Sequence, residues 1–341
     1  MDPYIKFLST CYPPPPTNPK TPNQTCKNVA LNTPRQLKNN DKSWTQCFIS
    51  SSINDQGLSS GGNGAGVNYP LYQFKHPNYT ENFTPEFRSF IDKHYGHHFE
   101  PLEVLGYIYA LLYSPNYRKR YEEFLKADYP KILFTNNKDL FRALSLLGIE
   151  LIGLHVLNKE SLNHSFEKLK DATIGESCYK EAHNPIISKK LSYNEPEQRL
   201  YINHSAYFRG VSQEIHDYRI GGYGVLDKYL KSHKNEPCNF DHVSNIIKVI
   251  ACTIEIQKTL GFLTSDLPHL KGNDSQALMR EILQNPPPPP PFNANIALIL
   301  SRQAKAIGDF DFDAAFISTK ASDNNIYRRG GGSAFPLFCL V

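Results

Sequence analysis

The sequence predicts an α+β fold, in which a mixed β-sheet region carries an inserted helical subdomain. Apolar and polar residues alternate around Leu200 and Ile202, which is typical of a strand, whereas residues 137–157 carry apolar residues at helical spacing. A partial internal repeat further indicates that the β segment near the start of the chain recurs at its end.

The composition limits the class of protein. The chain has 341 residues, 40% of them hydrophobic and 21% charged, enough for one large or two ordinary domains. A net charge of +4 is compatible with a nucleic-acid partner without requiring one. The seven cysteines are scattered, which predicts neither a zinc site nor a disulfide framework. No stretch approaches the ~20 apolar residues of a membrane span, so we expect a cytoplasmic protein without a membrane partner.

We divide the chain into four segments. They are a Pro-rich irregular tail (1–27), a main domain (28–263), a Pro-rich linker (264–292) and a partial second copy of the β segment (293–341). Within the main domain, β structure is expected over 28–75 and 191–225, helices over 84–190, and a further helix over 239–260.

The repeat supports this division. Residues 28–36 match 295–303, residues 47–55 match 315–323, and residues 69–72 match 335–338, in the same order in both copies. Because the spacing is far too long for a solenoid, we interpret it as a duplicated segment that ends early.

Helix-start signals mark the middle of the chain. Thr84 precedes Pro85 and Glu86, which suits an N-cap followed by a first turn. Further helices are expected over 101–112, 114–126 and 137–157. The segment 114–126 begins with cations interleaved with tyrosines, which is either a solvated helix face or a phosphate-binding surface. Those cations are Arg118, Lys119 and Arg120.

No catalytic residue and no metal ligand is predicted. The chain lacks a nucleophile elbow, a zinc-protease motif, a phosphate-binding lysine loop and a dinucleotide fingerprint. His94 and His98 have a metal-compatible spacing, but Gly96 weakens a helix between them. His155, on an apolar helix, is predicted to be a packed core histidine.

The stretch 201–231 is the most informative. It contains a strand, a turn at Gly221 and Gly222, and a basic amphipathic helix over 225–231. The glycines either form an ordinary structural turn or allow a nucleic-acid backbone to approach closely. The cations that flank them are Arg209, Arg219, Lys228 and Lys231.

An ordered series of motifs resembles one family. The motifs include Tyr69-Pro-Leu-Tyr72, Thr84-Pro-Glu-Phe-Arg88, Ser114-Pro-Asn-Tyr-Arg118, Glu150-Leu-Ile-Gly-Leu-His155 and residues 220–231. Over about residues 28–260 the sequence resembles the C-terminal specificity (target-recognition) domain of type ISP and related single-chain restriction–modification enzymes, which are N6-adenine DNA methyltransferases.

The resemblance implies a domain that reads a short sequence in double-stranded DNA for a methyltransferase and nuclease. S-adenosylmethionine would belong to that catalytic part, so no cofactor is expected here, and a separate methyltransferase or nuclease polypeptide is a candidate partner. Phosphate contacts are assigned to Arg118, Lys119, Arg120, Arg219, Lys228 and Lys231, since Arg and Lys supply most of them. Base contacts are assigned to Arg35, Gln36, Asn203 and Arg209.

Two alternatives stay open. In the first, the chain is a truncated fragment of a methyltransferase or restriction enzyme, which is inactive or keeps some activity. In the second, it is a module that binds something other than DNA. A methyltransferase fragment should bind the methyl donor, whereas a DNA-recognition domain should bind duplex DNA with a strong salt dependence.

Overall fold

The computed structural model describes residues 28–35, 37, 43–51, 66–75, 78–179, 185–265 and 282–287. The predicted tail (1–27), the second copy (293–341), most of the linker (264–292) and Gln36 lie outside the described residues.

Five strands open the described chain. They are β1 (Ala30–Pro34), β2 (Phe48–Ser50), β3 (Gly66–Pro70), β4 (Tyr72–Lys75) and β5 (Asn78–Glu81). β1 lies between β2 and β3, antiparallel to both, with Leu31 opposite Ile49 and Tyr69. These three side chains are buried in the same core as the helices that follow, so this small sheet is one wall of that core.

Six helices come next. They are α1 (Pro85–Tyr95), α2 (Pro101–Tyr113), α3 (Pro115–Arg120), α4 (Glu122–Ala127), α5 (Lys138–His155) and α6 (Lys159–Leu169). The predicted N-cap at Thr84 is confirmed, and Ser114, the first residue of the helix predicted over 114–126, caps α3. Thr84 Oγ1 accepts from Phe87 N at 3.2 Å, and Ser114 Oγ accepts from Tyr117 N at 3.3 Å. Each cap satisfies one of the amide groups left unpaired in a first helical turn.

The centre of the helical region is the contact between α2 and α5. Both helices are almost wholly buried, and their backbones meet at Gly106 and Gly148. A Cβ atom at Gly148 would lie 1.8 Å from Gly106 O, and one at Gly106 would lie 2.4 Å from Ser145 O. Only glycine at both positions therefore permits this approach.

The named elements that follow α6 build a second, smaller core. Its elements are β6 (Glu176–Cys178), β7 (Ser192–Asn194), β8 (Arg199–Tyr201), β9 (Tyr207–Arg209), α7 (Gln213–His216), β10 (Arg219–Ile220), β11 (Tyr223–Gly224), α8 (Val225–Ser232) and α9 (Phe240–Leu263). The sheet has the order β6-β9-β8-β7. Leu200, Ile202 and Phe208 pack there against Val243 and Ile247 of α9. Farther along, α9 also contributes Cys252 and Leu260 to the first core, so this helix joins the two.

The predicted α+β class is confirmed, with four corrections. Every pairing among the described strands is antiparallel, so the mixed sheet predicted from sequence is wrong for this part of the chain. The two predicted β segments also form separate sheets. The strands β7, β8 and β9 follow one another through short connections, which allow antiparallel pairing, whereas parallel pairing needs a long crossover.

The other two corrections concern the helices. Helical structure was predicted to extend to residue 190, but the last of these helices ends at Leu169. Lys170 then takes a left-handed φ of 54°, and strand β6 follows. The single helix predicted over 114–126 is two, because Tyr121 has φ −111° and ψ 19° between α3 and α4.

Among the described helices, none alone has the length and apolar composition to cross a membrane, although the bent pair α5 and α6 passes that test when taken together.

Candidate nucleic-acid interface

The hairpin β10–β11 carries the centre of the candidate site. Arg219 pairs with Gly224 and Ile220 with Tyr223, and Val225 N donates to Tyr218 O at 3.0 Å to close the base. The turn depends on Gly221, whose φ of 60° is costly for a residue with a side chain. The predicted turn is thus a two-residue connection between very short strands.

Helix α8 leads directly out of this hairpin and is amphipathic, as predicted. Leu226 and Leu230 are buried, whereas Asp227, Lys228 and Lys231 are exposed on the other side. Lys231 Nζ lies 2.8 Å from Asp227 Oδ2, one helical turn away. The buried leucines fix α8 on the second core and so direct its two cations outward.

The hairpin and α8 together form a cleft of about 420 Å³, which we call the basic cleft. Its lining is Arg219, Gly222, Tyr223, Gly224, Asp227, Lys228, Lys231 and Ser232. Three cations predicted from the sequence therefore lie around one opening, with Asp227 as the only carboxylate in the lining. The Tyr223 residue is 53% exposed, and Lys228 Nζ lies 4.4 Å from its ring centroid.

The basic cleft is tied to the N-terminal part of the chain. Gly221 N donates to Thr45 Oγ1 at 2.5 Å. A Cβ atom at Gly221 would lie 3.0 Å from Gln46 Nε2, so the turn rests closely on the Gln46 side chain. Residues 43–47, which we call the supporting loop, therefore hold the hairpin from behind.

Three of the four residues predicted to contact bases are described by the structure, and these three lie outside the lining of the basic cleft. Arg35 Nε is 3.2 Å from Asp128 Oδ1, and Arg209 is paired with Glu176 at 2.5 Å. The side-chain oxygen Oδ1 of Asn203 accepts from two backbone amides, those of Ser205 and Ala206, and Asn203 Nδ2 donates to Ile186 O. The Asn203 side chain thus stabilises its own loop. Gln36 is the fourth, outside the described residues.

The predicted cluster on α3 separates into two kinds of residue. Lys119 and Arg120 are exposed, and the Arg120 guanidinium lies 5.7 Å from the Tyr121 ring centroid. Arg118 instead turns inward. Its Nε donates to Leu112 O at 2.6 Å, and its guanidinium lies 4.5 Å from the Tyr113 ring centroid.

The histidines are occupied by ordinary contacts. His94 Nε2 lies 3.2 Å from Thr135 O, and His98 Nδ1 lies 2.9 Å from Asp92 Oδ2. In the part of the chain that the structure describes, no group of three or more His, Cys, Asp or Glu side chains is arranged to hold a metal ion.

His155 is confirmed as a packed core histidine. Its ring nitrogens lie 2.7 Å from Tyr109 Oη and 3.0 Å from Thr253 Oγ1. Burial, helped by the positive charge of Arg118, lowers the pKa of His155 to about 3. The ring is therefore neutral at physiological pH.

Two parts of the site were missed from the sequence. Tyr223, an aromatic residue just after a Gly-Gly turn between cations, carried a local signal that could have been used. The supporting loop carried none, because Thr45 and Gly221 are 176 residues apart in the chain.

Comparison with known proteins identifies the class. The Type ISP C-terminal specificity domain matches residues 10–258, and the chain belongs to this family. No curated protein matches the sequence.

Three solved structures are similar to this chain. A DrdV–DNA complex has a TM-score of 0.53 at 17% identity, over 72% of this chain and 25% of that one. The ATP-dependent Type ISP restriction–modification enzyme LlaBIII bound to DNA has a TM-score of 0.52 at 16% identity, over 76% of this chain and 17% of that one. A nuclease-deletion mutant of the Type ISP restriction–modification enzyme LlaGI, in complex with a DNA substrate mimic, has a TM-score of 0.48 at 19% identity. The match covers 74% of this chain and 22% of that one. This chain thus spans a quarter or less of the length of each of these proteins, and at such low identity DrdV and LlaBIII show a shared fold.

Proposed function

We propose that this chain recognises a short sequence in double-stranded DNA as the specificity part of a restriction–modification system. The methyltransferase and nuclease chemistry, and with it S-adenosylmethionine, belongs to other parts of that system. Membership of the specificity-domain family supports this proposal, and the structures of DrdV and LlaBIII, which share the fold, both contain DNA. The observation that carries it is the convergence of Arg219, Lys228 and Lys231 on the basic cleft.

The basic cleft suits phosphate better than a base edge. Lysine ammonium groups act as mobile point charges, which contact phosphate oxygens without selecting a sequence. Lys231 forms an ion pair with Asp227, whereas Arg219 and Lys228 take part in no ion pair among the described residues. Tyr223 adds an exposed flat ring beside these cations, an apolar surface on which a deoxyribose of the backbone can pack.

Sequence reading is assigned to side chains outside the cleft. Arg209 and Arg35 are exposed and carry the planar donor pair that matches guanine O6 and N7. Each now pairs with a carboxylate, Glu176 or Asp128, which is more than a third exposed, and such surface pairs are weak enough to exchange for DNA. Asn203 is better suited to shaping its loop than to reading a base, because its amide is already used by the chain.

Removing the three cations of the cleft tests the proposal. Anisotropy with labelled random duplex DNA would compare the wild-type chain with the triple variant Arg219→Gln, Lys228→Gln and Lys231→Gln at several salt concentrations. Affinity falls as salt rises, and each lost phosphate contact reduces the magnitude of the slope of log affinity against log salt by about 0.9. For the triple variant we therefore expect that magnitude to decrease by roughly 2 to 3, together with a clear loss of affinity.

The matched control removes three exposed cations outside the cleft, namely Lys131→Gln, Arg142→Gln and Lys159→Gln. It carries the same change in net charge, and we expect its salt slope to stay within about 1 of wild type. Equal losses in both variants, or a wild-type chain that does not bind DNA at low salt, would contradict the proposal.

Calorimetry with S-adenosylmethionine separates the proposal from the methyltransferase-fragment alternative. A specificity domain should give no binding heat, whereas a fragment that retains a methyl-donor site should titrate.

A further inference from the structure

Arg118 lies at the junction of three parts of the molecule. It belongs to α3, its Nε donates to the last turn of α2 at Leu112 O, and its guanidinium lies 5.8 Å from the ring centroid of Trp44 in the supporting loop. Its Nη2 is buried and has no hydrogen-bond partner, and none of the ion pairs among the described residues includes Arg118. Its contacts are therefore with rings and backbone.

The supporting loop connects this junction to the turn of the hairpin. Trp44 is buried, and the next two residues, Thr45 and Gln46, are the ones against which Gly221 packs. Farther along the loop, Cys47 O accepts from Tyr113 Oη at 2.9 Å, and the Tyr113 ring is the one that Arg118 covers. Arg118 thus lies against both the loop and the tyrosine that fastens it.

The base of the hairpin is near the same junction. Tyr218, whose carbonyl closes the hairpin, is close enough to Arg118 for the guanidinium charge to lower the pKa of its phenol, although burial raises that pKa overall. Gln257 of α9 joins the two sides, since its Nε2 donates to Tyr113 O and its Oε1 accepts from Tyr218 Oη.

We propose that Arg118 is a positioning residue for the basic cleft: through Trp44 and the supporting loop it holds the β10–β11 hairpin in place, and it does not bind phosphate. The assignment rests on the proposed function, because the hairpin matters only if the cleft binds DNA. Lysine cannot replace Arg118, since an ammonium group cannot lie flat against two rings while also donating from an Nε to Leu112 O.

Trp44, the only tryptophan of the chain, reports on the junction without DNA. In Arg118→Lys we expect its emission to shift to the red and its quenching by acrylamide to rise. We also expect the Gly221 amide hydrogen to exchange about tenfold faster, because the hydrogen bond to Thr45 Oγ1 loses its support. The control is Arg142→Lys, the same change at an exposed arginine on α5, which should leave both signals unchanged.

DNA binding supplies the second readout. We expect Arg118→Gln to weaken binding by about three- to tenfold, as expected for the loss of roughly one hydrogen bond, while leaving the salt slope unchanged. If Arg118 bound a DNA phosphate, its replacement would instead reduce the magnitude of the salt slope by about 0.9. Unaltered Trp44 emission and Gly221 exchange in Arg118→Lys, or a lowered salt slope in Arg118→Gln, would overturn the proposal.

Thr45→Val keeps the test decisive if the Arg118 variants do not fold. It removes the acceptor of the Gly221 amide with almost no change in volume, so Gly221 exchange should accelerate and DNA affinity should fall at constant salt slope. Unchanged exchange would again overturn the proposal. Absence of DNA binding by the wild-type chain refutes the proposed function instead, whereas the emission and exchange results still decide whether Arg118 positions the hairpin.

Discussion

The contact between α2 and α5 and the hairpin β10–β11 are held in place by different means. The helices are joined by continuous apolar packing, with two backbones in contact at Gly106 and Gly148. The hairpin has two residues in each strand and depends on the side chains of Thr45 and Gln46 from a distant segment and on the buried leucines of the adjoining helix α8. The position of the hairpin thus rests on a few contacts outside the large core, so we expect substitutions there to alter the proposed DNA binding without unfolding the protein.

The largest effect is expected at the helix contact. Gly148→Ala would place a methyl group 1.8 Å from Gly106 O, so α2 and α5 must separate along buried surface. We expect a loss of at least about 3 kcal/mol in the free energy of unfolding, measured by urea denaturation, since overpacking in a rigid core is costly. The control is Gly261→Ala in α9, where a Cβ meets nothing within 4 Å and helix propensity predicts a gain of up to about 1 kcal/mol. Equal free energies of unfolding for Gly148→Ala and Gly261→Ala would show that the contact between α2 and α5 is not rigid.

The second effect concerns acid stability. Because the pKa of His155 is lowered to about 3, the unfolded chain binds a proton between pH 6.5 and 3 that the folded chain excludes. Stability is therefore complete above pH 6.5 and falls as the pH decreases through this window, by at most about 1.4 kcal/mol per unit. His155→Gln removes this dependence, so the wild-type chain should lose more stability than the variant between pH 7 and pH 5.

Urea unfolding at several pH values measures this difference, and His204→Gln, at an exposed histidine, serves as the control. Parallel pH profiles for the wild-type chain and His155→Gln would contradict the burial of His155.

The smallest change in stability is expected at the hairpin, where function should be more sensitive. Gly221→Ala and Gly96→Ala both place alanine at a positive φ, 60° and 58°, so each should cost about 1 kcal/mol in the free energy of unfolding. Only at Gly221 does the added Cβ press on Gln46, whereas at Gly96 it meets nothing within 4 Å. We therefore expect similar melting temperatures but weaker DNA binding in Gly221→Ala alone. Equal DNA affinities of Gly221→Ala and Gly96→Ala would show that the position of the hairpin does not affect DNA binding.

The helices themselves were predictable from local sequence. Thr84, Ser114, Asn137 and Asn239 all cap the helices they were expected to start, and the apolar spacing of 137–157 corresponds to α5. Capping and periodicity act within a few residues, so the sequence contains the whole signal. The strand pairings were less predictable, because the partner of β1 and the separation of the two sheets depend on distant segments.

The site divides in the same way. The sequence alone determined that Arg219 precedes a glycine turn and that Lys228 and Lys231 lie on the amphipathic helix after it. The structure brings these three together in one cleft. Only the tertiary structure decided that Arg118 faces inward while its neighbours Lys119 and Arg120 are exposed, and that Thr45 supports Gly221. The physical reason is that helical spacing is a local property. The direction of a single arginine, by contrast, depends on rings that another segment of the chain brings to it.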